Sequence, residues 1–435
     1  MKRLFLTLLF LLQPSPLLPR QAGARPNLLA FSHVTVIDAT GASARRDMTV
    51  VVSGSRIVAV GRSGKTRVPG GALVVDATGK FLIPGLWDMH AHLGDEVFDR
   101  DAHLALFVAN GVTGVRVMTG STEHHAWRRE IEAGTLTGPR MIIASRRIDE
   151  AQTDETQARE AIRRARREGA DFFKVYDALP RASYFALMEE ARRLNFPVAG
   201  HVPASVTAAE ASAAGQRSVE HFTGLDEAKT DPSKAARVAA SFRRNATWLC
   251  PTLVMRHNYA RLDDRRMASD PRLKYAKPSW RERWLRMTDD AAKTPAAEWA
   301  QRRELIRKED DLVAAMRRAG VRVLAGTDDA NPYVIPGFGL HDELALLVAA
   351  GLTPMQALQA ATLNPAKFFG RLDSLGTVEA GKLADLLLLD ADPLEDIRNT
   401  TKISAVVVNG RLLDREELDR MLAAVEAKSS AASRP

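Results

Sequence analysis

Two hydrophobic patterns divide this chain into a central region and two similar ends. Near the start, short β-branched and apolar runs are separated by Gly, Ser, Asp and Pro, which is typical of strands and turns. These runs are residues 33–38, 48–52, 56–60 and 72–76. The same texture returns at residues 385–390 and 403–408, where Asn409-Gly410 predicts a two-residue hairpin turn. Because a sheet of few strands is unstable alone, we predict that both ends form one small β-sandwich-like domain.

The central region alternates short apolar runs with charged amphipathic segments, the pattern of βα units and a parallel sheet. Helical periodicity is clearest at residues 153–168, 182–194, 207–214 and 309–319. The predicted strands are residues 81–89, 114–118, 140–144, 172–176, 197–201, 218–221, 247–253 and 321–325. Eight such units predict an α/β fold of the (β/α)8 TIM-barrel class, and the sequence lacks the glycine-rich phosphate loop of an open nucleotide-binding sheet.

The two patterns also predict the domain organisation. The small β domain takes residues 25–80 and 373–418, the barrel takes residues 81–372, and residues 419–435 are a C-terminal tail. A long charged insert at about 255–308 has helical composition. Because it follows the seventh predicted strand, we expect it to lie over the barrel mouth.

The first residues match a secretory signal peptide. A Met-Lys-Arg start precedes the apolar run at residues 4–12, and Ala-Gly-Ala at residues 22–24 is a small-x-small cleavage pattern. The apolar run is shorter than the roughly 20 residues that span a bilayer. We therefore expect a signal peptide at residues 1–24 and a periplasmic or secreted protein with no membrane attachment after cleavage.

Charge and cysteine content exclude two further classes of protein. The formal net charge is +8, and three of the basic residues precede the expected cleavage point. The remaining Lys and Arg residues alternate with acidic ones, as on solvated helix faces, so nucleic-acid binding is not expected. Cys250 is the only cysteine, so no disulfide can form within the chain, and the 46% hydrophobic content must supply a large core.

Residues suited to metal binding or acid–base chemistry close five of the predicted strands. They are His90, His92, Lys174, His201, His221 and Asp328. His90 and His92 stand one residue apart, so on a strand they project to the same face. Because strand ends meet at one face of a barrel, all six would face one cavity. Taken singly, each also fits an ordinary hydrogen-bonded histidine, a surface lysine or a helix-capping aspartate, whereas one metal centre accounts for all of them.

These motifs, in this order, resemble the amidohydrolase superfamily, in its branch of imidazolonepropionase-related and prolidase-like metal-dependent hydrolases. The resemblance covers nearly the whole chain after the signal peptide. Its motifs are Pro-Gly-Leu-Trp-Asp-Met-His-Ala-His at 84–92, Gly-His-Val-Pro at 200–203, Ser-Val-Glu-His at 218–221, Ala-Gly-Thr-Asp at 325–328, Leu-Asn-Pro-Ala at 363–366 and the Gly-Thr-Val-Glu-Ala-Gly-Lys-Leu-Ala-Asp-Leu run at 376–386.

The resemblance implies two divalent metal ions, with zinc favoured and manganese, cobalt and iron also suited to these ligands. His90, His92 and Asp328 would bind the more buried ion, and His201 and His221 the more exposed one. Lys174 would bridge them as a carbamate formed with carbon dioxide, because a desolvated neutral amine can be carboxylated into an anionic ligand.

The resemblance further implies hydrolysis of a carbon–nitrogen bond by a metal-activated hydroxide, with Asp328 as general base and then general acid. The expected substrate is a small molecule, either a dipeptide such as Xaa-Pro or an N-acyl amino acid. Tyr176 and His257 are candidates for binding it. Cys250, in an apolar run, is expected to be buried and inert, so no cysteine nucleophile is invoked.

Three alternatives stay open from the sequence. One is a mononuclear cyclic-amide or lactone hydrolase of the same superfamily. Another is an aldolase-like barrel in which Lys174 forms a Schiff base. The third is a metal-binding protein without catalysis. The sequence allows a homo-oligomer and carries no signal that specifies one.

Overall fold

The computed structural model describes residues 28–94 and 98–431, so the expected signal peptide lies outside the described residues. The strands are β1 Leu28–Val36, β2 Arg45–Ser53, β3 Arg56–Arg62, β4 Leu73–Asp76, β5 Phe81–Pro84, β6 Leu86–Ala91, β7 Val112–Val117, β8 Arg140–Ile143, β9 Phe173–Val175, β10 Val198–Gly200, β11 Ser218–Glu220, β12 Trp248–Cys250, β13 Leu386–Leu389, β14 Ile403–Val408 and β15 Arg411–Asp414.

Most of the helices follow the strands of the central region. They are α1 Arg100–Ala109, α2 Thr122–Glu132, α3 Glu155–Arg167, α4 Arg181–Arg193, α5 Ala208–Ala214, α6 Pro232–Asn245, α7 Leu253–Tyr259, α8 Pro278–Ala291, α9 Ala296–Arg318, α10 Phe338–Ala349, α11 Pro354–Ala360, α12 Leu363–Phe369 and α13 Arg415–Ala431. Within the described ranges, none of them combines the length and apolar character needed to cross a membrane.

Strands from both chain ends lie in one sheet. Its order is β15-β14-β13-β5-β1-β2-β3, and β4 also pairs with β1. Where the sequence predicted a sandwich-like domain, hydrogen bonds form one continuous sheet, because β5 pairs in parallel with β1 and antiparallel with β13. The turn between β14 and β15 is the expected one: Asn409 and Gly410 have φ values of 50° and 77°, as a type I′ turn requires.

The predicted strand at residues 81–89 is wrong as a single element. It divides at Gly85 into β5, which belongs to the small sheet, and β6, which pairs with β7. A Cβ atom at Gly85 would lie 2.1 Å from Thr113 Oγ1, so only glycine allows the chain to pass there. The division lets β6 extend to Ala91, with His90 inside the strand and His92 one residue beyond it.

The parallel strands follow one another in chain order. β6, β7 and β8 form one sheet, β9 to β12 form another, and a parallel bridge between Ala144 and Phe172 links the two. The predicted eighth strand, residues 321–325, is not a regular strand: it forms one parallel bridge, between Val323 and Leu249, and separate backbone hydrogen bonds with its neighbours. A longer ladder does not form, since the Ala325 N–H is donated to the Ala360 carbonyl and not to a neighbouring strand.

The predicted helices at residues 153–168, 182–194 and 207–214 are α3, α4 and α5, and their bounds shift by no more than two residues. α9 is longer than the periodicity indicated, since it begins inside the insert and continues past residue 308. The insert packs through a hydrophobic cluster that contains the buried Trp284 and Trp299. α13, which includes most of the predicted tail, places Val425 in the same cluster.

His341 joins three parts of the fold. It lies in α10, its Nε2 is 3.0 Å from the Asn110 carbonyl oxygen, and its Nδ1 is 2.9 Å from Thr400 Oγ1. Because a carbonyl can only accept, Nε2 must carry the proton. The imidazole is buried, and burial lowers the pKa of His341 to about 4, since desolvation disfavours the charged ring.

We predict that His341 makes the fold sensitive to mild acid. Between pH 6.5 and 4 the unfolded chain binds a proton that the folded chain does not, so the unfolding free energy should fall by about 2 kcal/mol between pH 7 and pH 5 from this group. His341→Gln should remove that part of the pH dependence in urea unfolding. Equal pH dependence in the wild type and in His341→Gln would contradict the assignment.

Candidate metal centre

The six candidate ligands come from the carboxyl ends of successive parallel strands. His90 lies in β6, Lys174 in β9, and the other four follow a strand or the bridged segment directly. The closest approaches converge on the Asp328 carboxylate. Its Oδ1 is 3.0 Å from His92 Nε2 and 3.5 Å from His90 Nε2, and its Oδ2 is 3.7 Å from His221 Nε2. The imidazole rings of His201 and His221 are 5.0 Å apart, centroid to centroid.

The donor set fits a divalent metal ion. One ligand atom from each of His90, His92 and Asp328 lies within 4.8 Å of the others. Among the described residues, His90 Nε2 and Lys174 Nζ are buried and have no hydrogen-bond partner. Leaving a buried polar atom unpaired costs about 1–3 kcal/mol, so two such atoms at one place indicate a missing partner. A cation bound by the imidazole lone pair would supply it for His90.

Burial sets the protonation of these groups. It lowers the pKa of His90 to about 3 and holds the pKa of His221 well below its ordinary value, so both imidazoles are neutral at pH 7 and offer a lone pair. Burial also lowers the pKa of Lys174 to about 8. About a tenth of the amine is therefore neutral at pH 7, and the neutral amine is the form that can react as a nucleophile.

Three histidines have Nδ1 engaged outside the centre, which leaves Nε2 free to point inward. The pairs are His90 with Glu220 Oε2 (2.9 Å), His201 with Asp177 Oδ1 (2.8 Å) and His221 with Thr252 Oγ1 (2.6 Å). Such contacts fix the ring orientation and the tautomer of a metal ligand. The second ring nitrogen of each histidine is thus already committed, as a metal site requires.

Asp328 is held by its own backbone and by its neighbour. It has a φ of 54°, in the left-handed region that aspartate tolerates, and its N–H is donated to the His90 carbonyl oxygen at 2.8 Å. The Asp329 carboxylate accepts the His92 N–H at 2.6 Å. These two contacts tie the turn that carries Asp328 to the strand that carries the histidines.

A buried ion pair includes the carboxylate that contacts His90 Nδ1. Arg116 Nη2 is 2.8 Å from Glu220 Oε1 and 2.9 Å from Oε2, and both side chains have no exposed surface. Arg116 Nε is also donated to the Met89 carbonyl oxygen. The sequence analysis does not predict this pair, although the chain carries a signal for it. An arginine and a glutamate stand inside strands that are otherwise buried, where unpaired charges are very costly.

The two candidate substrate-binding residues are placed differently. The Tyr176 ring lies 5.4 Å from the His201 ring and 5.0 Å from Lys174 Nζ, beside the centre. His257 lies in α7, where its Nε2 is 3.0 Å from Asp310 Oδ1. It lines a cavity of about 780 Å³ whose described lining contains none of the six candidate ligands. Cys250 is buried and burial raises the pKa of its thiol well above the ordinary value, as expected for an inert cysteine.

This fold and this donor set define a class, and comparison with known proteins names it. The family model described as the amidohydrolase family matches residues 81–413, so the chain belongs to this family. The resemblance seen in the sequence is thereby confirmed, and the protein is a hydrolase of the amidohydrolase family.

Individual relatives are distant. An adenine deaminase of Rubrobacter xylanophilus is 25% identical over 414 residues, which are 90% of this chain and 59% of that protein. The structure named bottromycin amidohydrolase is 27% identical with a TM-score of 0.76, and the match covers 93% of this chain and 91% of that one. A structure from Bifidobacterium longum, named provisionally as a prolidase, is 24% identical with a TM-score of 0.72 over 92% and 100% of the chains. This last likeness shows the fold alone.

We predict that substitutions in the Arg116–Glu220 pair change stability and metal affinity to different extents. Arg116→Met leaves a buried carboxylate uncompensated and should lower the unfolding free energy by about 3–5 kcal/mol. The double variant Arg116→Met/Glu220→Leu should recover most of that loss, because neither charge remains. Its zinc affinity, measured by competition with a chelator, should stay about 10- to 100-fold weaker, since His90 Nδ1 has lost its partner.

The exposed pair of Arg265 with Asp289, whose side chains are 75% and 61% exposed, provides the control. Arg265→Met should change the unfolding free energy by less than about 1 kcal/mol and leave zinc affinity unchanged. Wild-type zinc affinity in the double variant would show that Glu220 does not orient His90.

Proposed function

We propose that this protein is a binuclear metal-dependent amidohydrolase that hydrolyses the amide bond of a dipeptide, such as Xaa-Pro, or of an N-acyl amino acid. One observation carries the proposal: the buried His90 Nε2 and Lys174 Nζ have no hydrogen-bond partner, and contacts link this part of the fold to three further histidines and Asp328. The names of two structures of similar fold, an amidohydrolase and a prolidase, support amide hydrolysis as the reaction.

Each ligand has an assigned place in the proposal. His90, His92 and Asp328 would hold one ion, His201 and His221 the other, and Lys174 would bridge them after carboxylation. Bound there, the ions would polarise the amide carbonyl and lower the pKa of a water molecule. Zinc is the metal that these ligands favour.

The side chains of the protein would supply proton transfer and would position the candidate ligands. Asp328 would accept a proton at a carboxylate oxygen and return it to the leaving amine nitrogen. Its Oδ2 lies toward His221, while Oδ1 lies toward His92. Asp177 and Thr252 hold the rings of His201 and His221 in place through their Nδ1 atoms. Tyr176 lies beside the His201 ring and would contact a bound substrate on that side of the centre.

The proposal includes a closed (β/α)8 barrel and export from the cytoplasm. Closure is supported by backbone hydrogen bonds on both sides of the eighth segment, from Leu324 to Leu249 and from Met89 to Ala325. Export is supported by the signal-peptide pattern at residues 1–24.

Two other functions are each supported by a specific observation. A neutral Lys174 amine suits a Schiff base as well as a carbamate, because both begin with attack by the lone pair. The likeness to an adenine deaminase makes deamination a second rival, although the chain spans only 59% of that protein. Removal of metal by a chelator distinguishes the first, since a Schiff-base enzyme would keep its activity. Adenine as a test substrate distinguishes the second.

We predict that elemental analysis of the purified mature protein gives about two metal ions per chain. Lys174→Ala should bind about one, because the bridge is lost, and should abolish hydrolysis of dipeptides and N-acyl amino acids. Lys229 is the matched control, since its side chain is 7% exposed and it pairs with Glu309. Lys229→Ala should keep both the metal content and the activity.

Three results would contradict the proposal. Unchanged metal content in Lys174→Ala would reject the bridge. Activity that survives full demetallation, with trapping of a substrate by borohydride, would favour the Schiff base. Turnover of adenine, a lactone or a cyclic amide without turnover of any acyclic amide would assign the protein to another branch of the family.

A further inference from the structure

Arg147, at the edge of the centre, contacts an aromatic ring and has no carboxylate bound to its guanidinium among the described residues. Arg147 follows β8, is exposed, and has its guanidinium carbon 4.5 Å from the centroid of the Tyr176 ring. Within residues 28–94 and 98–431 it makes no hydrogen bond or ion pair. The neighbouring Arg146 differs, because it lies 3.6 Å from Glu168 and donates to Thr122. Stacking on Tyr176 therefore holds Arg147 in place without consuming its N–H donors.

The nearest carboxylates are committed elsewhere. Glu150 accepts the backbone N–H of Tyr176 at 2.7 Å, and Asp177 holds His201 Nδ1 at 2.8 Å. Neither lies within ion-pair distance of Arg147, although the positive charge of Arg147 favours the ionised form of both carboxyls at longer range. The guanidinium thus offers a planar set of donors that matches a carboxylate brought by another molecule.

Tyr176 fixes the distance from this guanidinium to the metal ligands. The ring that Arg147 covers is 5.0 Å from Lys174 Nζ and 5.4 Å from the His201 ring. Because both distances are to the same ring centroid, the guanidinium carbon is no further from Lys174 Nζ than the sum of 4.5 Å and 5.0 Å. One residue spans about 3.8 Å, and a guanidinium–carboxylate hydrogen bond adds about 2.8 Å. These two lengths fit within that limit, so a single amino acid matches the separation better than a longer peptide.

We propose that Arg147 binds the free α-carboxylate of the amino acid whose amide nitrogen is released. This inference rests on the proposed amide hydrolysis and narrows its substrate class to compounds with one residue beyond the cleaved bond and a free carboxylate. Dipeptides and N-acyl amino acids meet both conditions. Amidated compounds lack the anion, and longer peptides place a neutral peptide group there.

The test compares a carboxylate with its amide in the metal-loaded, full-length mature protein. The probes are N-acetyl-L-proline and N-acetyl-L-prolinamide, together with the best dipeptide from the substrate screen and its C-terminal amide. Arg147→Gln should lower kcat/KM for the acids by about 10- to 100-fold, mainly through KM, because a hydrogen bond to a charged group contributes about 1.5–3 kcal/mol. For the amides kcat/KM should stay unchanged. Arg147→Lys should restore part of the loss.

Two arginines serve as controls. Arg146→Gln changes the adjacent exposed residue and should leave all probes unaffected. Arg283 is exposed, lies in α8 of the insert, and stacks on Trp280 with the same 4.5 Å separation. Arg283→Gln should not discriminate between acid and amide. A selective loss in Arg283→Gln but not in Arg147→Gln would overturn the proposal, as would equal losses for acid and amide in Arg147→Gln or a wild type indifferent to the carboxylate.

Calorimetric binding separates this inference from the proposed function. If no amide is hydrolysed but N-acetyl-L-proline binds wild type at least 10-fold more tightly than Arg147→Gln, the carboxylate site stands and amide hydrolysis fails. If amides are hydrolysed without any role for Arg147, the carboxylate site alone fails. If neither probe binds or reacts and the dipeptides behave likewise, both proposals are rejected.

Discussion

The buried pairing of Arg116 with Glu220 is the interaction on which the candidate centre depends. A carboxylate with no exposed surface is tolerated only when a cation and hydrogen bonds compensate it, and Arg116 supplies both. Glu220 can then accept from His90 Nδ1, which directs Nε2 toward Asp328. His90, a candidate metal ligand, is thus a neutral imidazole held by a carboxylate whose charge Arg116 neutralises. Without the arginine, the same glutamate would draw a proton or water into the core.

The small sheet takes part in this arrangement although it contributes no candidate ligand. Asp385, directly before β13, accepts from Arg140 at the start of β8 and from the backbone N–H of Asn409. Its carbonyl oxygen accepts from Gly85, where the chain passes from the small sheet into the parallel strands. Strand β6 therefore begins at a position fixed by the small sheet. A shift of that sheet would move His90 and His92 along the strand axis.

How far the sequence predicts this protein depends on whether a feature is local or is made by distant residues. Alternation and turn chemistry are local, so the Asn409-Gly410 hairpin and helices α3 to α5 were predictable. The division at Gly85 was not, because it is caused by contact with Thr113 in the next strand. The six candidate ligands were predicted from their order along the chain. Their supports, such as Thr252 for His221, come from other strands and leave no spacing pattern.

The length of α9 has a mechanical consequence for the insert. The helix has 23 residues and so spans about 34 Å, beginning in the insert and ending shortly before the eighth segment. Glu309 and Asp310 on it bind Arg256 and His257 of α7, which follows the seventh strand. The insert is therefore braced against the helix that follows the seventh strand, and any displacement of α9 along its axis would strain both of these contacts.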